Sequence, residues 1–322
     1  MIADGRKVLA LSGGVGGAKL ALGLYRVLPP DTLTIVANTG DDFEHLGLSV
    51  CPDLDTLLYT LSGHANEELG WGRRGETWTF MAALEALGGE TWFRLGDGDL
   101  ATHVERTRRR QASESLSSIM DDFRRRLGIA ARLVPMSDDP VRTKLHTPAN
   151  GEWLDLQDYF VRLRCEPVIS ELSYAGAETA QPHPEIIAAL HDPALHLVAI
   201  CPSNPFISID PILAVPGIRA ALRDCPAPVI AVSPIIGGKA VKGPTAKMLA
   251  ELGLPVDAAT VAGHYRDIIN VYVADTEDAA AIGGIEAPVV LAHTLMQSLA
   301  DREALARTVI AAADRIHADR AR

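Results

Sequence analysis

Cysteine is scarce in this chain, and its distribution excludes the structures that cysteine usually supports. The 322 residues include four cysteines, Cys51, Cys165, Cys201 and Cys225. They are widely scattered, and none of them forms a C-x-x-C pair, the spacing typical of zinc ribbons and thiol oxidoreductases. We therefore expect reduced thiols rather than a disulfide framework or a cysteine zinc site.

Basic charge and long apolar runs are scarce as well. The 41 acidic residues outnumber the 30 basic ones, which gives a formal net charge of −11 and argues against general nucleic-acid binding. The early apolar stretch ends at Gly13, so no signal peptide is expected, and no apolar run is long enough to cross a bilayer. These observations predict a cytoplasmic protein with neither a nucleic-acid nor a membrane partner.

The sequence also lacks the familiar nucleophile motifs. It contains no G-x-S-x-G elbow, no H-E-x-x-H helix and no cysteine with an obvious histidine partner. If the protein is an enzyme, these absences favour catalysis by positioning and charge neutralisation, as in phosphoryl transfer.

Apolar strand-like runs alternate with helical patterns along most of the chain. Strands are predicted at 7–11, 32–37, 131–134, 197–201, 228–232, 270–274 and 288–291. Helices are predicted at 18–28, 56–62, 184–191, 217–223 and 300–316. This order predicts an α/β fold, Rossmann-like and doubly wound, with a mostly parallel sheet. Residues 1–322 are predicted to form a single domain with a mostly helical insertion at about 64–128.

Glycines are concentrated after the first predicted strand, in the stretch SGGVGGAKL. Gly13, Gly14, Gly16 and Gly17, followed by Lys19, fit neither the nicotinamide fingerprint G-x-G-x-x-G nor the Walker loop G-x-x-x-x-G-K-[ST]. Glycine nevertheless lets backbone amides approach an anion, and the start of a helix attracts negative charge. We favour a phosphate site over the alternative, a tight turn without a ligand.

Carboxylates follow the second predicted strand. Asn38, Asp41, Asp42, Asp53 and Asp55 lie within NTGDDFEHLGLSVCPDLDT. Loops beyond the carboxyl ends of parallel strands converge on the ligand crevice, so this acidic loop should lie beside the glycine turn. Acidic side chains next to a phosphate require a divalent cation between them, and Mg²⁺ suits that role. Turn formation and helix capping are the alternative roles of these aspartates.

The segment RLGDGDLATH adds a further polar group, which includes Arg94, Asp97, Asp99 and His103. Arg94 lies among apolar residues and needs a partner, whereas the aspartates suit a loop and His103 alone indicates an ordinary polar residue. The arginine runs at 106–110 and 124–126 are predicted to form a solvated helix face.

Two later loops each follow an apolar strand. CPSNPFISIDPIL places Ser203 and Asn204 between prolines, where the asparagine could contact a base edge or cap a turn. SPIIGGKAVKGPTAKM supplies a second glycine–lysine loop, consisting of Gly237, Gly238, Lys239, Lys242 and Lys247. Two such loops at one sheet edge suit a diphosphate-bearing ligand better than a single phosphate.

Taken together, these segments resemble the 2-phospho-L-lactate transferase family. The similarity rests on GGVGGAKL, NTGDDFEHLGL, CPDLDTLLYTL, GWGRRGETW, RLGDGDLATH, MSDDPVRT, PSNPFISIDPIL and SPIIGGKAVKGP, which occur in the family's order between residue 8 and about residue 250. The resemblance implies a Rossmann-like, usually dimeric, magnesium-dependent enzyme of coenzyme F-420 biosynthesis. It would be a transferase of substituted phosphate groups.

The reaction implied by the resemblance joins two small molecules. A guanosine diphosphate conjugate of a three-carbon phospho-acid would donate its phospho-acyl part to the terminal ribityl hydroxyl of the deazaflavin Fo and release GMP. The donor could be the phospholactate, enolpyruvyl or phosphoglycerate form, and the sequence does not choose among them.

Site residues follow from the resemblance position by position. The GGVGG turn would line the cleft near the phosphates, and Asp41, Asp42, Asp53 and Asp55 would contact the metal. Asp55 would also contact Fo, with Arg94 on the opposite side. Ser203, Asn204 and the loop at 237–243 would hold the guanosine. Asp55, with Asp41, is the candidate catalytic residue, because it would orient the attacking hydroxyl or accept its proton.

Two other functions remain as alternatives. The gluconeogenesis factors, which bind uridine-diphosphate sugars and regulate without transfer chemistry, share a glycine loop and a late N-P segment, but PDLDT and GDGDLATH favour the transferase. A nicotinamide-dependent oxidoreductase is disfavoured by the missing third glycine and by the lack of an acidic ribose-binding residue at its usual place.

Overall fold

The computed structural model describes residues 5–241 and 243–322. The strands are Lys7–Ser12 (β1), Leu33–Ala37 (β2), Phe43–His45 (β3), Leu48–Val50 (β4), Arg132–Pro135 (β5), Arg142–Thr147 (β6), Glu152–Asp155 (β7), Glu171–Ala175 (β8), Leu195–Ile200 (β9), Val229–Val232 (β10), Ile235–Ile236 (β11), Lys239–Ala240 (β12), Val271–Asp275 (β13) and Val289–Ala292 (β14).

The α-helices are Gly14–Val27 (α1), Pro52–Leu61 (α2), Thr79–Ala86 (α3), Asp97–Gln111 (α4), Leu116–Arg126 (α5), Pro184–Leu190 (α6), Asp210–Ala214 (α7), Ile218–Arg223 (α8), Thr245–Glu251 (α9), Ala258–His264 (α10) and Leu299–Arg320 (α11). Two short segments, Asp158–Arg162 and Pro205–Ile209, are π-helical.

The predicted α/β class and Rossmann-like sheet are confirmed. Seven strands form one parallel sheet in the order β14-β13-β10-β9-β1-β2-β5. The chain starts in the middle at β1, adds β2 and β5 on one side, and then returns to add β9, β10, β13 and β14 on the other. The strand order therefore reverses between β1 and β9, and loops after these two strands flank the crevice where such sheets bind ligands.

Apart from the edge strand β14, the sheet is largely buried on both faces, which explains why its strands are continuous apolar runs. In β1, Val8 and Ala10 face a core formed with α1, α2, α5 and α11. Leu9 and Leu11 alternate with them and face a second core, formed mainly with the helices between β8 and β13.

The register aligns the strand ends that position the site. Ser12 pairs with Ala37, and Leu11 pairs with Ile200, so β1, β2 and β9 end at the same edge. Just beyond the ladder, Asn38 N–H donates to the Ser12 carbonyl at 3.1 Å. Polar residues that are far apart in the chain thereby meet at one edge of the sheet.

Elements outside the parallel sheet were only partly predicted. Helices α3, α4 and α5 lie within the segment 64–128, which the sequence suggested was mostly helical. The antiparallel sheet β7-β6-β8 and the hairpins β3–β4 and β11–β12 had no counterpart among the predicted elements. Within the described part of the chain, no helix is both long and apolar enough to cross a membrane.

Candidate active site

A cavity of about 680 Å³ opens at the carboxyl ends of the central strands. Its lining comes from the segments that follow β1, β2, β9, β10 and β14, from Asp99 and His103 on α4, and from residues within 70–72, 92–94 and 156–161. The cavity thus lies at the reversal of strand order, where a sheet of this topology binds its ligand.

The glycine turn after β1 is the beginning of a helix rather than a loop before one. Helix α1 starts at Gly14, four residues earlier than predicted, and Gly13 is its N-cap. Gly14 N–H donates to Asp53 Oδ1 at 2.5 Å. The N–H groups of Val15 and Gly16, in the first turn, have no acceptor within the helix, and both residues line the cavity. An anion can bind these donors at the positive end of the helix dipole.

Close packing explains why positions 16 and 17 are glycine. A Cβ on Gly16 would lie 2.5 Å from the Pro202 carbonyl oxygen, and one on Gly17 would overlap Ser203 Oγ. Gly14 itself has φ +61°, in the left-handed region that favours glycine. The glycines therefore let the chain after β1 approach the chain after β9, and Gly17 does not line the cavity.

Asn38 connects two of the predicted metal-binding aspartates. Its side-chain amide donates to Asp53 Oδ2 at 2.9 Å, to Asp41 Oδ1 at 3.3 Å and to the Ile207 carbonyl at 3.1 Å. Its own side-chain oxygen accepts the Gly40 N–H at 2.7 Å. Asn38 is fully buried, so this network holds the two carboxylates side by side at the edge of the cavity.

Asp41, Asp42 and Asp53, here called the acidic cluster, bring three carboxyl groups together at the inner end of the cavity, and Asp42 and Asp53 are buried. Burial raises the pKa of Asp42 to about 7 and that of Asp53 to about 6. Burial, reinforced by the other two carboxylates, raises the pKa of Asp41 well above its ordinary value. Asp42 Oδ1 has no hydrogen-bond partner among the described residues, and Asp42 lies behind the cavity wall that Asp41 and Asp53 line. This donor set could hold a hard divalent cation.

Asp55 occupies a different environment from the acidic cluster, because it is paired with a buried arginine. Both carboxylate oxygens accept from Arg106, Oδ2 from Nη1 at 3.0 Å and Oδ1 from Nη2. His103 Nδ1 lies 3.4 Å from Arg106 Nη1, and His103 Nε2 lies 3.2 Å from Asp99 Oδ2. Tyr59 donates to Asp99 Oδ1 at 2.6 Å. Asp55, Asp99, His103 and Tyr59 all line the cavity.

Two of the predicted cationic residues also line the cavity. Lys19 reaches back along α1 and donates to the Met296 carbonyl at 2.8 Å. Arg94 is exposed rather than enclosed by apolar residues as the sequence suggested, and its guanidinium lies 4.3 Å above the Trp78 ring. The cavity thus contains at least two positive side chains beside its carboxylates.

Ser203 and Asn204 meet the glycine turn as expected, but their hydrogen bonds are largely internal. Ser203 Oγ donates to the Gly13 carbonyl at 2.7 Å, and Asn204 Oδ1 accepts from Phe206 N–H at 2.9 Å, which caps the π-helical segment. Both residues line the cavity. The capping role that the sequence left open for Asn204 is therefore present, and contact with a base remains a prediction.

The second glycine–lysine loop forms the hairpin between β11 and β12. Gly237 and Gly238 have positive φ, and Gly238 N–H donates to Asp278 Oδ1 at 3.0 Å. Neither glycine lines the cavity, nor does Lys239, whereas the flanking residues Ile236, Val241 and Gly243 do. Lys242 lies outside the described residues. Lys247 points elsewhere and donates to the Pro167 carbonyl at 2.8 Å.

Aromatic side chains form another part of the lining. Trp71 and Trp92 come from the 64–128 segment, and Phe160 comes from the π-helix after β7. The Arg162 guanidinium lies 4.6 Å above the Trp92 ring and so joins these two parts of the wall. Such a surface can stack against a planar ring.

The prediction of a solvated arginine face is wrong at Arg106 and Arg124. Arg106 is fully buried against Asp55, and Arg124 is held by Asp121 and by the Ile129 carbonyl at 3.1 Å. The sequence did contain a signal for the burial of Arg106, because residues 99, 103 and 106 share one face of a helix. Read individually, His103 and Arg106 gave no sign that they meet Asp55.

Comparison with known proteins identifies the family. The family model described as 2-phospho-L-lactate transferase CofD matches residues 8–311. A protein named phosphoenolpyruvate transferase from Kitasatospora aureofaciens is 41% identical over 318 residues, which cover 96% of this chain and 98% of that protein. A protein of the same name from Mycobacterium tuberculosis is 39% identical over 302 residues, covering 87% of this chain and 91% of that protein.

A solved structure with the same fold is a member of the UPF0052 family from Bacillus halodurans. It has a TM-score of 0.60 at 14% identity and covers 94% of this chain and 99% of its own, so the likeness extends to the fold alone. The family model and the relatives' names both indicate a transferase enzyme. On the extent of the match to the family model, this chain belongs to the 2-phospho-L-lactate transferase family.

Proposed function

We propose that this enzyme transfers a three-carbon phospho-acyl group from its guanosine diphosphate conjugate to the deazaflavin Fo, releasing GMP, in coenzyme F-420 biosynthesis. The observation that carries the proposal is a single cavity in which carboxylates adjoin the start of α1 and aromatic side chains form another wall. The name shared by relatives at 39–41% identity favours the phosphoenolpyruvate-derived donor over the phospholactate and phosphoglycerate forms.

The diphosphate would lie at the start of α1. The first-turn N–H groups and the Lys19 ammonium supply positive charge there. Ser203 and Asn204, on the loop after β9, would contact the nucleoside, together with the β11–β12 hairpin. Because Gly237, Gly238 and Lys239 lie off the cavity wall, we expect the hairpin's flanking residues to make its direct contacts.

Mg²⁺ fits the acidic cluster, because a divalent cation would stabilise the ionised form of carboxyl groups whose pKa values burial raises. Asp41 and Asp53 would hold it from the cavity wall, with Asp42 behind them and Asp55 nearby. Bound there, the cation would neutralise charge that develops on the departing phosphate. Asn38 fixes the relative position of Asp41 and Asp53, which supports the proposal that they hold the cation together.

Asp55 is proposed to orient the attacking hydroxyl. Arg106 engages both of its oxygens, which fixes the carboxylate plane. A carboxylate held in this way can accept a hydrogen bond from the hydroxyl and aim its oxygen at the phosphorus. Because both of its oxygens already accept from Arg106, orientation of the hydroxyl rather than proton removal is the proposed main contribution of Asp55.

The aromatic wall would receive the deazaflavin ring. Trp71, Trp92 and Phe160 offer flat apolar surface, and Arg94 supplies a charge beside it. A cavity of about 680 Å³ lies within the range of volumes that ligand sites have. The two substrates could thus lie together, as direct transfer requires.

One experiment tests the reaction. The purified chain is incubated with Fo, Mg²⁺ and each of the three guanosine diphosphate conjugates in turn, and the products are identified by mass. We expect GMP and one phospho-acylated deazaflavin, formed fastest with the phosphoenolpyruvate-derived donor and abolished by a chelator. Absence of product with all three donors would refute the proposal.

A parallel binding measurement addresses the regulator alternative. Thermal shifts are recorded with GDP and with UDP-N-acetylglucosamine at equal concentrations. The proposal predicts that GDP with Mg²⁺ raises the melting temperature more. A larger shift with the uridine sugar, combined with no transfer, would favour the regulator.

A further inference from the structure

The segment after β9 brings a second serine to the start of α1. Ser208 lies in the π-helix Pro205–Ile209, is 6% exposed and lines the cavity. Its backbone N–H donates to the Asn204 carbonyl at 3.1 Å, but its side-chain hydroxyl has no hydrogen-bond partner among the residues that the structure describes. The hydroxyl oxygen keeps access to the cavity, so a bound ligand can reach it.

Two glycines let Ser208 approach the first turn of α1. A Cβ on Gly13 would lie 2.7 Å from Ser208 Cβ and 3.1 Å from Ser208 Oγ, and one on Gly14 would lie 3.8 Å from that Oγ. The hydroxyl therefore lies against the backbone where α1 begins. The N–H groups of Val15 and Gly16 at this helix end have no acceptor within the helix. The helix start thus has a side-chain donor beside its backbone donors.

The neighbouring serine hydroxyls differ from that of Ser208. Ser203 Oγ donates to the Gly13 carbonyl at 2.7 Å and accepts the Gly13 N–H at 3.2 Å, so the fold already uses it. Ser12 is fully buried and does not line the cavity, and its Oγ would lie 2.5 Å from a Cβ on Gly17. Ser208 is the serine at this helix end whose hydroxyl is both without a partner in the described chain and open to the cavity.

Asp53 is the nearest alternative acceptor for this hydroxyl. A Cβ on Gly13 would also lie 2.6 Å from Asp53 Oδ2, so Asp53 and Ser208 approach the same point. Asp53 Oδ1 accepts from the Gly14 N–H at 2.5 Å, and Oδ2 accepts from the Asn38 side-chain amide at 2.9 Å. Neither oxygen accepts from Ser208. A phosphate oxygen at the helix start could accept the hydroxyl hydrogen and leave both of these bonds in place.

We propose that the Ser208 hydroxyl donates a hydrogen bond to a phosphate oxygen of the nucleotide at the start of α1. The inference rests on the proposed function, in that the ligand at this helix end is taken to be a nucleoside diphosphate or its conjugate. It adds a donor from a segment that follows β9, far from the glycine turn in the sequence. Because the hydroxyl contacts the phosphate directly, its contribution does not depend on the metal.

Nucleotide binding tests the contact without any turnover. GDP and guanosine share the base and the ribose and differ in the diphosphate, so the ratio of their dissociation constants isolates the phosphate contacts. The ratio is measured by calorimetry on the full-length protein, once with a chelator and once with Mg²⁺. We expect Ser208→Ala to reduce the preference for GDP about tenfold in both conditions and to leave the affinity for guanosine unchanged.

The matched control is Ser137→Ala. Ser137 is buried as well, but its hydroxyl donates to the Gln181 carbonyl at 2.6 Å, and the residue does not line the cavity. Ser137→Ala should therefore lower the melting temperature and keep the wild-type preference for GDP. Ser208→Ala should do the reverse. Because it removes a hydroxyl that has no partner in the described fold, the ligand-free variant should melt at or above the wild-type temperature.

A preference for GDP that is unchanged in Ser208→Ala overturns the contact, as does a wild type that binds GDP no better than guanosine. A loss confined to the Mg²⁺ condition overturns it in favour of a metal ligand. A lower melting temperature of ligand-free Ser208→Ala, or failure to fold, overturns it in favour of a structural role. A wild type that forms no product from any donor would refute the proposed reaction, whereas the preference for GDP would still report on Ser208. The two hypotheses therefore fail by different results.

Discussion

Replacing Arg106 with methionine should destabilise the protein by removing one partner of a buried ion pair. Arg106 is fully buried and Asp55 nearly so, and the guanidinium contacts both oxygens of the carboxylate. Methionine fills most of the apolar volume of arginine but leaves the Asp55 charge without its partner. A buried carboxylate without a partner is costly to the folded state.

The expected loss is large for a single substitution. Breaking a buried pair by removing one partner costs about 3–5 kcal/mol. An unfolding entropy of about 2.1 cal/mol/K per residue over 322 residues converts this into a fall in Tm of about 4–7 °C. The double variant Arg106→Met, Asp55→Asn removes both charges and should recover part of the loss, because the two sites are coupled.

The assay is thermal and urea denaturation of four proteins: wild type, the single variant, the double variant and Arg108→Met. Arg108 lies on the same helix but is exposed, and its pair with Glu105 is screened by water, so this control should melt with the wild type. A Tm of Arg106→Met equal to that of the Arg108 control would refute the buried pair. Equal losses in the single and double variants would refute the coupling.

Three further outcomes follow from the site. The acidic cluster holds protons in the folded state because its pKa values are raised, so metal-free protein should lose stability, by a few kcal/mol at most, as the pH rises from 5 to 8. Mg²⁺ should therefore raise Tm more at pH 8 than at pH 5. Thermal scans with chelator or with Mg²⁺ would contradict this if the pH trend were absent or reversed. Gly16→Ala should lower Tm and impair transfer, because its Cβ would meet the Pro202 carbonyl oxygen. The control Gly263→Ala on α10 has open space around its Cβ and should be neutral or stabilising. Equal melting curves for the two variants would exclude the close approach of Gly16 to Pro202. Lys19→Met should weaken GDP binding about tenfold, measured by calorimetry. The control Lys7→Met, at the other end of β1, should leave GDP affinity unchanged. An unchanged GDP affinity in Lys19→Met would remove Lys19 from the phosphate site.

Most strands of the central sheet were predictable because they are buried on both faces, and only the edge strand β14 is partly exposed. A strand such as β9 is a continuous apolar run, and the chain signals its ends with glycine, proline or polar residues. Helix starts were less accurate. Helix α2 begins at Pro52, four residues before the prediction, so Asp53 and Asp55 lie in its first turn rather than in a preceding loop.

The antiparallel sheet β7-β6-β8 was missed because its strands are only half buried and their alternation is weak in the sequence. In β6, buried and partly buried residues alternate, but the partly buried positions are Arg142, Lys144 and His146, whose charges favour a loop. Pairing with β7 and β8 stabilises this segment, and pairing partners are not local information.

By itself, the sequence determined the fold class, the site edge and the residue types that meet there, since these depend on local periodicity and on loops following strands. Only the tertiary structure decided which charges are compensated. Asp55 accepts hydrogen bonds from a buried arginine 51 positions away, whereas Asp41 and Asp53 both accept from one shared amide, that of Asn38. Solvation and pairing depend on every atom within a few ångströms, and those atoms come from distant parts of the chain.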